Sequence, residues 1–140
     1  MSINTSVAGN GTASNASGAI LLGRILLSIL FILSGFAKLT AISGTAQWFG
    51  SIGLPLPTVV AVGAGLVELF GGLAILVGFQ TRIVAIVLAI FTLAATAIAH
   101  LNFADQIQLL MLQKNLGLTG GFILLAVLGA GAYSIDAKRG

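Results

Sequence analysis

Four long apolar runs dominate the sequence and restrict the fold more than any other feature. They cover Ala19–Ala37, Val59–Phe79, Ile83–Ala99 and Leu116–Ala132. At about 1.5 Å per residue, each run would extend roughly 25–32 Å as a helix, which matches the hydrocarbon core of a bilayer. Because backbone groups in lipid must be satisfied within the protein, these runs are expected to be helical. The sequence therefore predicts an all-α membrane protein built as a four-transmembrane-helix bundle.

The scarcity of charged residues supports the membrane assignment and excludes several functions. Charged residues make up 6% of the chain and hydrophobic residues 58%, whereas soluble domains carry about a quarter charged residues. The absence of cysteine excludes disulfides, thiolate metal sites and covalent c-type haem in this chain. The single histidine, His100, excludes bis-histidine haem ligation within one chain. No metal-ligand cluster appears in the sequence, and the basic residues are too scattered for a nucleic-acid surface.

The N-terminal segment and the positive charges predict the topology. Residues 1–18 are mostly Ser, Thr, Asn, Gly and Ala without a charged side chain, which predicts a flexible tail ahead of a transmembrane domain over residues 19–140. Four basic residues fall on the side of the predicted termini and two on the opposite side. By the positive-inside rule, both termini are expected in the cytoplasm. The four are Arg24, Arg82, Lys138 and Arg139, and the two are Lys38 and Lys114.

An acid within the second run requires a partner. Glu68 lies between long apolar stretches, and an ionisable side chain in the bilayer interior is expected to face protein or water rather than lipid. By helical rise, Glu68 would lie about 14 Å and Arg24 about 20 Å below the outer surface. The sequence therefore predicts that Arg24 pairs with Glu68 inside the bundle. Glycines at helical spacing around Glu68, Gly65 and Gly72, predict close helix packing there.

The remaining polar residues of the runs are expected at the outer end of the bundle. Lys38 ends the first run, His100 ends the third, and Lys114 and Asn115 precede the fourth. Trp48 lies in an apolar segment suited to the membrane interface. Two interpretations of these polar residues stay open. Either they bind a ligand together, or the Arg24–Glu68 pair only fixes helix register while the lysines extend to the lipid headgroups. The predicted binding cluster is Arg24, Lys38, Glu68, His100, Lys114 and Asn115.

Several motifs in order resemble the DoxX family of small bacterial membrane proteins. "GRILLSILFILSGFAKL" resembles the first helix of the family, "GLPLP" its turn before helix two, and "VELFGGLAILVGFQTRIVA" its Glu-x-x-Gly-Gly helix. "FTLAATAIAH" resembles the end of helix three, "QKNLGLTGGFILLA" the start of helix four, and "YSIDAK" the usual C-terminal tail. The likeness extends from about Ile20 to Asp136. Residues 101–103 depart from the family pattern, which often has proline or an aromatic residue after the histidine.

The resemblance implies a multi-pass protein of the bacterial inner membrane that is associated with membrane oxidoreductase systems. It also implies that the six cluster residues belong to the family pattern. Three functions stay open: a subunit of a quinone-linked oxidoreductase system, a small-solute or proton transporter, and a non-catalytic membrane scaffold. The expected partners are the lipid bilayer and either a redox protein or further copies of the chain. Whether the chain itself catalyses a reaction is left open.

Overall fold

Six helices make up the fold, and four of them are long and apolar enough to cross a membrane. A computed structural model describes the backbone of residues 3–139 and the side chains of residues 15–139. It is 83% helical, without strands in the part of the chain that is described. The prediction of an all-α membrane protein with four spanning helices is therefore confirmed. The helices are α1 (Ile3–Thr40), α2 (Ile42–Ser51), α3 (Pro57–Val77), α4 (Thr81–Ala99), α5 (Gln106–Leu128) and α6 (Ile135–Arg139).

Two helix boundaries differ from those predicted by the apolar runs. Helix α1 begins at Ile3 rather than near Ala19, because extending an existing helix requires far less free energy than starting one. The predicted tail over residues 1–18 lies mostly outside the described side chains, and its flexibility stays a prediction. Helix α5 begins at Gln106, ten residues before Leu116. The Asp105 carboxylate caps it by accepting a hydrogen bond from the Ile107 N–H at 3.0 Å.

The turn between α3 and α4 depends on a glycine. Gly78 follows α3 with φ 72°, a left-handed conformation that glycine adopts without steric cost. Its N–H donates to the Ile75 carbonyl at 3.3 Å and that of Phe79 to the Ala74 carbonyl at 2.8 Å, so two terminal carbonyls of α3 are satisfied. A Cβ at Gly78 would also lie 2.9 Å from Arg24 Nη2. Both conformation and space therefore require glycine here.

The spanning helices pack as two antiparallel pairs, α1 with α3 and α4 with α5. In the first pair the backbones approach closely: a Cβ on Gly35 would lie 2.7 Å from the Gly65 carbonyl oxygen and 2.8 Å from Leu69 Cα. A Cβ on Gly72 would lie 3.0 Å from the Ile32 backbone nitrogen. The close packing predicted for Gly65 and Gly72 is thus confirmed. Such small-residue contacts replace the hydrophobic driving force that lipid does not supply.

The two pairs are joined by apolar side chains over only part of their length. Phe31 of α1 and Phe122 of α5 meet edge to face, with ring centroids 5.2 Å apart. Aromatic pairs favour this arrangement. Ile75 and Leu88 are fully buried in the same core. One end of the bundle contains the Gly78 turn and α6, and we call it the turn end. We call the opposite end, which contains α2, the α2 end. A cavity separates the pairs on the α2 side of this core.

Helix α2 lies across the α2 end and packs on α3. Its Phe49 is buried, whereas Trp48 keeps 46% of its surface exposed, as suits an aromatic residue at the membrane interface. The chain then turns through Gly53 and Leu56, both at positive φ, into α3. Pro57 occupies the first turn of α3, where the missing N–H leaves no hydrogen bond unmade. The short helix thus brings two aromatic rings over the cavity.

Candidate functional site

A cavity of about 410 Å³ lies between the two helix pairs at the α2 end. Ligand pockets in proteins are commonly about 300–1,000 Å³ and mostly apolar with few polar groups. This cavity fits that description, since its wall is formed by aliphatic and aromatic side chains from α1 to α5. Five of the six predicted cluster residues line it, and only Arg24 does not. The five are Lys38, Glu68, His100, Lys114 and Asn115.

Glu68 forms an ion pair with Lys38, not with Arg24. Lys38 Nζ lies 2.9 Å from one Glu68 carboxylate oxygen and 3.2 Å from the other. The Glu68 side chain is 9% exposed and that of Lys38 22%. This answers how the acid is tolerated within the membrane, and it corrects the predicted Arg24–Glu68 pair.

The direction of helical side chains explains the correction. Each Cα–Cβ bond in a helix tilts toward the N-terminus, and the N-terminal part of α1 lies at the turn end. Lys38 therefore extends back from the α2 end toward Glu68, whereas Arg24 extends away from it. Rise per residue estimates depth along the helix axis, but it contains no information about this tilt.

The ammonium group of Lys38 has no donor left for a ligand. An ammonium offers three N–H donors, and hydrogen bonds join Lys38 Nζ to the Ser34 hydroxyl oxygen at 2.9 Å and to both Glu68 carboxylate oxygens. The pair is consequently neutral and internally satisfied. It forms a polar patch on the wall of the cavity rather than a free cation.

His100 and Lys114 contribute the donors that remain. His100 follows the last residue of α4, and its Nδ1 is enclosed without a hydrogen-bond partner among the described residues. Burial lowers the pKa of His100, and the positive charge of Lys114 lowers it further, so the imidazole is held neutral. The Lys114 ammonium is exposed, and its one hydrogen-bond acceptor among the described residues is the Met111 sulfur at 3.4 Å. Thioether sulfur is a weak acceptor.

Asn115 lies inside α5, not at the helix entrance where the sequence placed it. Its side-chain amide donates to the Thr96 hydroxyl at 2.9 Å, and Thr96 in turn donates to the Thr92 carbonyl at 2.7 Å. The three side chains are at most 9% exposed. The hydrogen bond between Asn115 and Thr96 joins α5 to α4, and Asn115 and Thr92 also line the cavity. Lys114 also lies within α5 instead of before it.

Aromatic rings cover the apolar part of the cavity. Trp48 and Phe49 of α2 line it with their ring centroids 5.3 Å apart, and Phe91 of α4 lines it from the other pair. Aromatic faces suit flat, conjugated ligands because stacked rings bury large apolar areas. The sequence predicted an interfacial position for Trp48, and the structure places this ring with Phe49 and Phe91 on the wall of one cavity.

Arg24 lies outside the cavity, where it links three elements at the turn end. Its side chain is 1% exposed and donates four hydrogen bonds to backbone carbonyls. Two go to the end of α3, at Ile75 (2.9 Å) and Leu76 (2.7 Å), and two to the segment after α5, at Ala130 (2.9 Å) and Tyr133 (2.8 Å). The charge is thus dispersed over four carbonyls, of which the two at the end of α3 carry the partial negative charge of a helix C-terminus.

A second polar contact at the turn end was not predicted from the sequence. The Asp136 carboxylate accepts hydrogen bonds from the N–H of Gln80 at 2.7 Å and of Thr81 at 2.9 Å, which lie at the start of α4. Burial alone would raise the pKa of Asp136. The bonds from Thr81 and Gln80, with the nearby charge of Arg139, outweigh burial and lower this pKa. The motif "YSIDAK" contains Asp136, but it does not indicate that this carboxylate contacts the start of α4.

Comparison with known proteins identifies the family of the chain. The family model described as DoxX matches residues 19–101, which include α1 from the start of its apolar run at Ala19, α2, α3, α4 and His100. This chain belongs to the DoxX family. The resemblance inferred from the motifs is therefore confirmed. Of the cavity residues discussed above, Lys114 and Asn115 lie beyond the matched part of this DoxX protein.

Three curated relatives resemble this DoxX protein over most of their length. Inner membrane protein YqjF of Escherichia coli (strain K12) is 48% identical over 120 residues, which cover 84% of this chain and 88% of the relative. Inner membrane protein YphA of the same strain is 33% identical, over 85% of this chain and 89% of the relative. "Putative oxidoreductase CatD" of Bacillus subtilis (strain 168) is 34% identical, over 76% and 82%. No solved structure matches the chain.

Proposed function

We propose that this DoxX protein is an inner-membrane subunit of a membrane oxidoreductase system and that its cavity binds a quinone. The observation that carries the proposal is that one cavity combines aromatic walls with His100 and Lys114, two polar side chains without a strong hydrogen-bond partner among the described residues. Trp48, Phe49 and Phe91 supply the flat apolar surfaces, and His100 and Lys114 supply the donors. A quinone needs both, because its ring is apolar and its carbonyl oxygens accept hydrogen bonds.

The relatives support the proposal in two ways. YqjF and YphA are named inner membrane proteins, and the third relative is named "Putative oxidoreductase CatD". From the names of YqjF and YphA we propose that this chain lies in the inner membrane. From the name of CatD we propose that it is associated with redox chemistry. The positive-inside rule supports a topology with both termini in the cytoplasm, in which the cavity would open toward the periplasmic side.

The residues of the cavity would have separate roles in binding. The rings of Trp48 and Phe91 would flank the quinone, and Lys114 and His100 would donate to one carbonyl oxygen. The Lys38–Glu68 pair would form the polar floor without contributing a donor. A quinone supplies two-electron redox chemistry. Because the chain contains no cysteine and one histidine, we expect a partner protein to exchange the electrons.

The only tryptophan of the chain allows a direct test, since Trp48 lines the cavity. Purified protein in detergent micelles is titrated with ubiquinone-1 while Trp48 fluorescence is recorded. We expect saturable quenching. Either His100→Ala or Lys114→Met should weaken binding about tenfold, because one hydrogen bond contributes roughly 0.5–1.5 kcal/mol.

Lys138→Gln is the matched control, because Lys138 lies in α6 at the opposite end of the protein. It removes one positive charge without changing the cavity. Quenching that rises linearly with ubiquinone-1 and is equal in all four proteins would contradict quinone binding. Solvent extraction of the purified protein, followed by chromatography, reports independently on retained quinone.

Proton transfer is the second candidate function, and one observation favours it. Glu68 places a carboxylate on the wall of the intramembrane cavity, where titratable side chains often mark proton pathways. The pair with Lys38 would then have to open during each transfer. Acidification of proteoliposomes that is abolished by Glu68→Gln, in a protein that shows no saturable quenching by ubiquinone-1, would support this function over the first.

A further inference from the structure

The charges that face the cavity do not balance. One acid, Glu68, and three basic side chains, Lys38, His100 and Lys114, line it. Lys38 and Glu68 neutralise each other at 2.9 Å, and the imidazole of His100 is held neutral by its surroundings. Lys114 is left without a compensating carboxylate, since the Lys38–Glu68 pair is the only ion pair among the described residues. The polar end of the cavity therefore keeps one net positive charge.

The two remaining acids of the chain are engaged elsewhere. Asp105 accepts the capping hydrogen bond of Ile107 at the start of α5. Asp136 lies at the turn end, where it accepts the N–H groups of Gln80 and Thr81. Neither lines the cavity. A counter-charge for Lys114 thus has to come from bulk solvent, from lipid or from the occupant of the cavity.

The hydrogen-bonding groups at the polar end also favour an anionic occupant. Among the described residues, the Lys114 ammonium donates to one acceptor, a thioether sulfur at 3.4 Å. The enclosed Nδ1 of His100 has no hydrogen-bond partner among them. With its proton on Nδ1, His100 would be a second donor beside Lys114. Two donors and no free carboxylate suit an oxygen with high electron density, because hydrogen bonds to an ionised acceptor are about twice as strong as neutral ones.

We infer that the cavity binds an apolar organic acid, with its flat body against the aromatic rings and one ionised oxygen at Lys114 and His100. The inference rests on the proposed function and makes it more specific: the preferred quinone bears an acidic hydroxyl that is ionised at neutral pH. The body of such a molecule fits the volume of about 410 Å³. The ionised oxygen restores charge balance at the polar end of the cavity.

Three small aromatic probes separate charge from quinone character. 2-Hydroxy-1,4-naphthoquinone is ionised at neutral pH, 1,4-naphthoquinone has the same rings without an ionised oxygen, and 2-naphthoate is ionised without being a quinone. Binding of each to the full chain in micelles is followed by Trp48 fluorescence. We expect the hydroxyquinone to bind at least about tenfold more tightly than the neutral quinone, a difference of about 1.4 kcal/mol.

Variants at one position test whether Lys114 causes the preference. Lys114→Met should remove it, so that both naphthoquinones bind equally, whereas Lys114→Arg should retain most of it because the positive charge stays. Lys138→Gln, which lowers the net charge equally at the far end of the molecule, should leave the preference unchanged. Retention by Lys114→Arg also shows that the loss in Lys114→Met does not come from misfolding.

The outcomes distinguish the inference from the proposed function. Equal binding of both naphthoquinones by the wild-type protein would overturn the inference and would leave quinone binding in place. Lys114-dependent binding of 2-naphthoate without binding of either quinone would support the inference and contradict the quinone. Binding of none of the three probes would overturn both.

Discussion

Lys38 Nζ lies 2.9 Å from a Glu68 carboxylate oxygen, so the basic residue near the end of α1 neutralises the acid in the middle of α3. Removing one member of a buried pair leaves an uncompensated charge, which costs about 3–5 kcal/mol in protein interiors. We expect Lys38→Met and Glu68→Gln each to destabilise the protein by an amount in the lower part of that range, because Lys38 stays 22% exposed. The double variant should recover part of the loss, measured by SDS-induced unfolding in mixed micelles.

A control cycle strengthens this first prediction. Lys138 lies in α6 at the opposite end of the protein from Glu68. Combining Lys138→Gln with Glu68→Gln should therefore give nearly additive changes in the free energy of unfolding. If the Lys38–Glu68 cycle were equally additive, the pair would contribute nothing beyond its separate members.

Arg24 is expected to be the most sensitive charged position for stability. Its four hydrogen bonds to carbonyls are each worth roughly 1.5–3 kcal/mol when the donor is charged and buried. Arg24→Lys retains the charge but offers at most three donors without the planar fork. We expect a lower thermal midpoint and a smaller monodisperse fraction in fluorescence-detected size-exclusion chromatography.

Arg82→Lys is the matched control for Arg24→Lys. Arg82 also donates to helix-terminal carbonyls, those of Ala126 and Val127, but at an exposed site, where water replaces lost hydrogen bonds. Its thermal midpoint should stay close to that of the wild-type protein. Equal losses at both positions would mean that burial of Arg24 does not determine its contribution.

Glycine substitutions in α1 should separate close helix packing from helix propensity. A Cβ at Gly35 would lie 2.7 Å from the Gly65 carbonyl oxygen in the facing helix, whereas a Cβ at Gly23 would meet nothing within 4 Å. Gly35→Ala should force the α1 and α3 backbones apart and destabilise the protein by about 1–3 kcal/mol. Gly23→Ala should be neutral or slightly stabilising, because alanine favours helices. Destabilisation by Gly23→Ala of the same size would contradict the packing explanation.

The Asp136 contact predicts a dependence of stability on pH. Its folded-state pKa is lowered relative to the ordinary value of 3.8, so its contribution is fully present above that pH and is lost as the pH falls through the lower folded-state value. Asp136→Asn should destabilise the protein at pH 7 by about 0.5–2 kcal/mol, as expected for loss of a helix cap. The difference from the wild-type protein should shrink when unfolding is measured at increasingly acidic pH.

Asp105→Asn is a control for the capping argument. Asp105 uses one carboxylate oxygen toward Ile107, and an asparagine oxygen can accept that bond equally well. Asp136 uses both oxygens, so asparagine would place an NH₂ group against a backbone N–H. Only the change at residue 136 should therefore lower stability at neutral pH.

The sequence predicts the architecture well because helices in lipid follow from length and hydropathy alone. It also selects the cavity residues, since polar groups within apolar runs, such as Glu68, must converge away from lipid. It fails for the partner of Glu68, because depth along a helix does not reveal the direction of a side chain. It also fails for α2 and for the Asp136 contact, because a short interfacial helix and a contact between distant segments leave no periodic signal.

The connections of Arg24 have a consequence for biosynthesis. This side chain enters the membrane with the first spanning helix, yet two of its acceptors, Ala130 and Tyr133, are 106 and 109 residues further along the chain. Until residues 130–133 have been synthesised, the guanidinium group can form only the two hydrogen bonds that the end of α3 offers. Its full set of acceptors is therefore complete only after the segment that follows α5 has reached the bundle.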